Sequence, residues 1–195
     1  MHDDVAVRDR RDELVLALEA LTNFSAQAAI VDAAVGIVSQ FVKNPSLVRT
    51  KFLNFVLVGA AGTGKTTLVH AIARVFAKAG IFVYNRVREA GRADLVGEYE
   101  GQTVARTRAF LLASLECTIF IDEAYELGKG TYGSEACTAL VAAMTDPQYA
   151  GVVIILAGYQ ADMSQMLQTN AGLKGRFDHF IEFPDWQPKD CVALI

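Results

Sequence analysis

One short stretch constrains this chain more than any other. Gly59-Ala60-Ala61-Gly62-Thr63-Gly64-Lys65-Thr66 satisfies the pattern G-x-x-x-x-G-K-[ST] in full. An apolar run rich in β-forming residues, Phe52 to Val58, leads into it, and a helical pattern from Gly64 to Lys78 leads out. Glycine accepts backbone conformations and close approaches that a side chain blocks, so consecutive N–H groups in such a turn can point inward at one anion. The helix that follows adds the positive end of its dipole at the same place. Lys65 is expected to reach the β- and γ-phosphates of a bound triphosphate as a point charge, and the Thr66 hydroxyl to sit on Mg²⁺, which prefers oxygen ligands. The plain alternative, a glycine turn beside an exposed lysine, does not explain why strand and helix flank it.

A second signal lies further along. Cys117-Thr118-Ile119-Phe120-Ile121-Asp122-Glu123 is an apolar strand that ends in two carboxylates. In a parallel sheet the carboxyl ends of all strands share one edge, which predicts Asp122 beside the phosphate loop. There Asp122 would hold Mg²⁺ through water, and Glu123 would polarise an attacking water. A strand ending in two solvated acids is common by itself, but paired with the phosphate loop it signals hydrolysis.

Between and around these motifs, strand-like runs at Ile81 to Tyr84, Thr118 to Ile121 and Val152 to Ala157 alternate with helical patterns at Thr103 to Leu115 and Glu135 to Met144. His179 to Phe183 supplies one more strand, ended by Pro184-Asp185. Such alternation predicts an α/β fold with a parallel sheet covered by helices on both faces. Before it, residues 9 to 43 carry Leu14, Leu18, Leu21, Ile30, Val31, Val35 and Val38 at helical spacing, read as two helices broken near Thr22-Asn23.

Composition sets the outer limits. A chain of 195 residues with 52% hydrophobic content can bury a full core, and its length suits one domain with a fragment of another. The net charge of −4, from 22 acidic against 18 basic residues, argues against a surface that neutralises nucleic-acid backbones. Arg86, Arg88, Arg92, Arg106 and Arg108 are interleaved with Glu89, Asp94, Glu98 and Glu100, which reads as a solvated, salt-bridged face. Cys117, Cys137 and Cys191 are odd in number and lack Cys-x-x-Cys pairing, so neither a disulfide framework nor a zinc site is indicated, and His2, His70 and His179 have no metal-ligand spacing. No run reaches the ~18 apolar residues of a membrane span, and the start is polar. The expected location is intracellular, in the cytoplasm, or in a plastid where a transit peptide has been removed.

Taken in order, Gly59 to Thr67, Ala93-Asp94-Leu95-Val96-Gly97-Glu98-Tyr99-Glu100-Gly101-Gln102-Thr103, Phe120-Ile121-Asp122-Glu123-Ala124-Tyr125 and Ile155-Leu156-Ala157-Gly158-Tyr159 closely resemble motifs of AAA+ ATPases of the CbbX/CfxQ group, which includes red-type Rubisco activases and the sporulation protein SpoVK. The similarity runs from about Phe52 to Trp186. It implies a P-loop NTPase fold, a three-layer α/β/α arrangement with a five-stranded parallel sheet, ATP and Mg²⁺ as cofactors, and hydrolysis of ATP to ADP and phosphate. It also implies assembly into hexameric rings that remodel a protein client, Rubisco being one client class. Residues Gly59, Ala60, Ala61, Gly62, Thr63, Gly64, Lys65, Thr66, Thr67, Asp122 and Tyr159 would then contact the nucleotide or its metal ion, and Glu123, Lys65 and Arg176 would carry the chemistry.

Three of these assignments rest on the resemblance alone. Gly172-Leu173-Lys174-Gly175-Arg176-Phe177 matches the segment that sends an arginine finger into the neighbouring subunit, which makes Arg176 the candidate and Lys174 a secondary one. A planar guanidinium suits the charge spread over a transferring phosphoryl group. Tyr99-Glu100-Gly101 matches a loop that grips polypeptide in the ring's pore, although Glu100 replaces the usual aliphatic residue, and a loop packed against a neighbouring helix is the competing reading. Tyr159 stands where many relatives place an asparagine that senses the γ-phosphate, and a phenol can make the same bond.

The expected division is therefore 1–51, an N-terminal helical segment and linker; 52–184, the nucleotide-binding α/β core; and 185–195, the start of a truncated lid domain, which implies a fragment of a longer protein or a lid supplied elsewhere. Two functional classes follow: an ATP-hydrolysing motor subunit, or a non-motor ATP-binding scaffold whose assembly or partner docking depends on nucleotide. A DNA-directed ATPase is disfavoured by the acidic balance.

Overall fold

Strands that are apolar on both faces must be covered on both, and that requirement organises the molecule. The computed structural model describes Gly36, Asn44 and residues 54–149, 151–177 and 179–185. Within them five strands form one parallel sheet: β1 (Asn54–Gly59), β2 (Val87–Ala90), β3 (Thr118–Ile121), β4 (Val153–Gly158) and β5 (His179–Phe183), in the order β2-β3-β4-β1-β5. The helices are α1 (Lys65–Lys78), α2 (Arg92–Leu95), α3 (Gln102–Leu112), α4 (Gly130–Ala143), α5 (Gln160–Thr169) and α6 (Ala171–Lys174), with 3₁₀ turns at Ala124–Gly128 and Pro147–Tyr149. The helical patterns read at residues 9 to 43, together with Trp186 and Cys191, lie outside the described residues.

The two-residue period of a strand divides the core in two. Phe55 and Leu57 of β1, Phe120 of β3, and Ile155 of β4 pack on one face against Leu68, Ile72 and Phe76 of α1. Val56, Ile119, Ile154 and Leu156 point the other way, against Leu111 of α3, Leu140 of α4 and Met163 and Leu167 of α5. Full burial of each such side chain contributes about 1.5–3 kcal/mol, so both faces are closed by the same force. The result is the three-layer α/β/α arrangement. On the edge strand β5, only Ile181 and Phe183 are buried, while Phe180 and Glu182 are exposed.

One expected strand is not a strand. Ile81 to Tyr84 forms an irregular loop, because the N–H groups of Ile81 and Phe82 both donate to the Phe76 carbonyl, at 2.9 and 3.3 Å, after Gly80 takes φ +70° at the end of α1. The apolar signal there has another cause: Phe82 is buried edge-on against Phe76, with ring centroids 5.7 Å apart. The strand is β2, Val87–Ala90, whose sequence Val-Arg-Glu-Ala shows no apolar run because it lies at the edge of the sheet. Arg88 and Arg92, expected on a salt-bridged face, instead donate to backbone carbonyls of Ala113 and Glu126 at 2.8 and 2.7 Å.

Helix α4 begins at Gly130, earlier than the expected Glu135, and its glycines are the reason. A Cβ at Gly133 would lie 2.1 Å from the Leu127 carbonyl oxygen and 2.9 Å from an Arg92 guanidinium nitrogen. Glycine there lets the turn after β3 close directly onto the helix. Gly133→Ala is expected to lower stability by about 1–2 kcal/mol: overpacking against backbone costs up to ~3 kcal/mol, and the helix propensity of alanine returns only ~1. Urea unfolding checks this, and an unchanged midpoint would mean that the turn moves freely.

Candidate active site

A parallel sheet delivers the carboxyl ends of β1, β3 and β4 to one edge, and there a cleft of about 290 Å³ opens. The loop after β1 lines it with Gly59, Ala61, Gly62, Gly64, Lys65, Thr66 and Thr67, the end of β3 with Asp122 and Glu123, and the end of β4 with Gly158 and Tyr159. Because β4 lies between β1 and β3, the carboxylates stand two strand spacings, roughly 10 Å, from the loop. Gly158 sits in that gap without a side chain.

The loop holds its shape by its own bonds. Gly62 and Gly64 take φ of +75° and +97°, left-handed values that β-carbon-bearing residues adopt at a cost. Gly59 is required by packing: a Cβ there would lie 2.6 Å from the Phe183 carbonyl oxygen. Thr63 is buried and its Oγ1 donates to the Ala60 carbonyl at 2.8 Å, so Ala60 and Thr63 brace the loop without lining the cleft. Lys65 Nζ donates to the carbonyls of Gly59 (2.9 Å) and Ala60 (2.7 Å). Burial pushes its pKa below the usual amine value, and the nearby Asp122 carboxylate opposes that shift. A cation so placed is a strong attractor for a phosphate oxygen.

Across the gap, Asp122 Oδ1 accepts the Glu123 N–H at 2.9 Å. Glu123 takes φ +48°, ψ +40°, a left-handed conformation for a residue with a full side chain, at a cost of about 1–2 kcal/mol. The next turn enforces it. Ala124 and Leu127 are buried, the Glu126 N–H donates to the Glu123 carbonyl at 2.8 Å, and Arg92 Nη1 grips the Glu126 carbonyl at 2.7 Å. The donor set of Thr66 hydroxyl and Asp122 carboxylate is made of hard oxygens, which suits Mg²⁺, an ion that keeps several waters when it binds protein. A bound Mg²⁺ would neutralise phosphate charge there.

Other expected residues fall elsewhere. Arg176 does not line this cleft: its carbonyl accepts from Asn54 Nδ2 at 3.2 Å, which places it by the start of β1, at the opposite end of the sheet from the phosphate loop. Tyr99 is 67% exposed on the loop between α2 and α3. That loop's base is held by Thr103 Oγ1, which accepts the Gly97 N–H at 3.1 Å, and by Thr107 Oγ1, which donates to the Leu95 carbonyl at 2.9 Å. Two residues went unremarked as site residues in the sequence. Gly158 reads in the sequence only as part of a strand-end motif; Tyr125 follows the carboxylates in the chain, and only folding sets its ring 6.3 Å from that of Tyr159.

The family profile of the ATPase family associated with various cellular activities (AAA) matches residues 55–185, the span that contains the sheet and cleft just described. The chain belongs to the AAA ATPase family. It is 42% identical over 145 residues to the stage V sporulation protein K of Bacillus subtilis, covering 73% of this chain and 45% of that protein. It is 32% identical over 202 residues to the ESX-3 secretion system protein EccA3 of Mycolicibacterium smegmatis, covering 98% of this chain and 33% of the relative. The chain thus spans from a third to under half the length of these curated relatives. Among solved structures, a Thermotoga maritima RuvB variant superposes with a TM-score of 0.60 at 20% identity, over 84% of this chain and 48% of that one. The FIGL-1 AAA domain in complex with ADP gives 0.52 at 23%, over 78% and 52%. These two establish the AAA fold, five parallel strands with helices on both faces. Among the described residues of this AAA module, no helix is long and apolar enough to cross a membrane.

Proposed function

We propose that this AAA module binds MgATP in the cleft at the carboxyl edge of the sheet and hydrolyses it as one subunit of a hexameric ring that remodels a protein client. One observation carries the reading: Lys65 and Thr66 on one side of a single cleft, and Asp122 and Glu123 on the other. In this scheme the turn Gly59 to Thr67, braced from within by Ala60 and Thr63, cradles the phosphates through its cleft-lining residues, Thr66 and Asp122 hold Mg²⁺ (Asp122 through water), and Tyr159 meets the γ-phosphate. Glu123 accepts a proton from the attacking water, whose oxygen bonds to the γ-phosphorus as the bond from that phosphorus to the bridging oxygen breaks and ADP leaves. Arg176 lies at the far end of the sheet, so it serves the site of a neighbouring subunit.

The exposed Tyr99 is the element assigned to grip extended polypeptide, with large apolar contact and no demand for a particular sequence. Rubisco is the first client to assay, because the motifs resemble those of red-type activases. Work inside the cell, in cytoplasm or plastid, follows from the same reading. A scaffold that binds ATP without turnover is the alternative, favoured by the two carboxylates, Glu98 and Glu100, that flank Tyr99.

Binding is tested at Lys65. Lys65→Ala leaves phosphate charge uncompensated, so its affinity for MgATP is expected to fall roughly ten- to a hundred-fold, from the loss of charge-assisted bonds worth about 1.5–3 kcal/mol. Calorimetry reads this directly. Unchanged affinity would sink the assignment of the cleft.

A further inference from the structure

Glu123 carries its exposed side chain on a strained backbone, at φ +48°, ψ +40°. A residue with a β-carbon relaxes out of that region unless its surroundings hold it there, and the direction in which Cβ leaves the chain relaxes with it. For a carboxylate that must meet one water the direction matters, because a misplacement of ~1 Å can cost about a hundred-fold in rate. The Glu126 N–H, which donates to the Glu123 carbonyl at 2.8 Å, closes the backbone from one side. Everything then depends on where Glu126 is held. Arg92 Nη1 holds it from outside the turn: the Glu126 carbonyl accepts that nitrogen at 2.7 Å as well as the Lys129 N–H at 3.3 Å. Both ends of this strut are fixed. Arg92 opens α2, where its own carbonyl accepts the Val96 N–H at 2.8 Å and where the buried Leu95 is tied to α3 through Thr107 Oγ1. At the other end the guanidinium lies against α4, and a Cβ at Gly133 would approach its nitrogen to 2.9 Å, so the missing side chain leaves the room it occupies.

We infer that Arg92 is a positioning residue for hydrolysis: by fixing the Glu126 carbonyl from α2, it keeps the left-handed backbone of Glu123 aimed at the cleft. A charge-assisted bond suits the task, being shorter and about twice as strong as one between neutral groups. A guanidinium also stays charged at any working pH, so the brace does not loosen when Glu123 takes up a proton. Arg92 does not line the cleft itself. Its action passes through the Glu126 and Glu123 backbone.

The inference rests on the hydrolysis reading, and the test separates the two. Arg92→Met keeps the length of the stem and removes the donors. In the full chain, MgATP affinity should stay at the wild-type value while kcat falls about ten-fold, the lower end of what one hydrogen bond to a charged group is worth. Arg92→Gln ends short of the Glu126 carbonyl but leaves a polar group in the half-buried site; it should show the same split, and it serves if the methionine variant does not fold. A double variant gives the readout that a merely structural role would not move. Added to Glu123→Gln, either substitution should lower the residual turnover no further, because the carboxylate it aims is already gone. An equal ten-fold loss in both backgrounds would mean that Arg92 acts elsewhere, and would overturn the role. So would a wild-type kcat in either folded single variant, or a loss of MgATP affinity, which would make Arg92 a support of the whole cleft. A wild-type protein that binds MgATP without turnover would overturn the hydrolysis reading and this inference together.

Discussion

Glu123→Gln is expected to bind MgATP as the wild-type protein does and to hydrolyse it about 10²–10⁴-fold more slowly, the usual contribution of a positioned general base. Glutamine is nearly the same size, so the cleft keeps its shape, and its amide still hydrogen-bonds. It cannot take a proton from water at neutral pH. The left-handed backbone of Glu123 is held by the turn Ala124–Gly128 and by Arg92, neither of which the substitution touches. The variant should therefore accumulate as an ATP-bound trap. Rapid filtration followed by analysis of the retained nucleotide distinguishes the outcomes: retained ATP fits, whereas ADP formed at the wild-type rate would mean that another group positions the water.

The second large effect is at Arg176. Its backbone is tied through Asn54 to the start of β1, the full length of a strand away from Lys65, so it cannot complete the cleft of its own chain. If it completes a neighbour's, Arg176→Ala should bind ATP normally and lose up to ~10³–10⁵ in turnover, since a finger acts chiefly on charge that develops in the transition state. Mixing decides the matter. Arg176→Ala and Lys65→Ala subunits are each inactive, but some interfaces in a mixed ring join an intact phosphate loop to an intact finger. Partial recovery of activity on mixing is the expected result. Mixtures that stay inactive, in rings shown to exchange subunits, would leave Arg176 a surface residue.

How much of this was legible before folding depends on how local each feature is. The turn Gly59 to Thr66 could be read because its chemistry is contiguous: glycines at fixed offsets, then lysine and threonine at the start of a helix. Strands β3 and β4 were legible for a related reason, since buried central strands write a continuous apolar run. The edge strand β2 wrote none, and Ile81 to Tyr84 imitated one because Phe82 is buried by a helix cap. The start of α4 was illegible because glycines that read as loop are, in the fold, what allows a carbonyl of the preceding turn to touch the helix.

The amino-acid sequence by itself determined which groups share the glycine-rich turn and that two carboxylates end a strand, because both are facts about neighbours in the chain. It left open what stands between them. Only the tertiary structure placed β4 between β1 and β3, and so put Gly158 and Tyr159 between Lys65 and Glu123. Strand order is settled by which helices can cover which face, a property of the whole core and not of any segment. The same packing set the Tyr125 ring against Tyr159 and carried Arg176 to the far end of the sheet. Those are contacts between distant parts of the chain, and no local pattern encodes them.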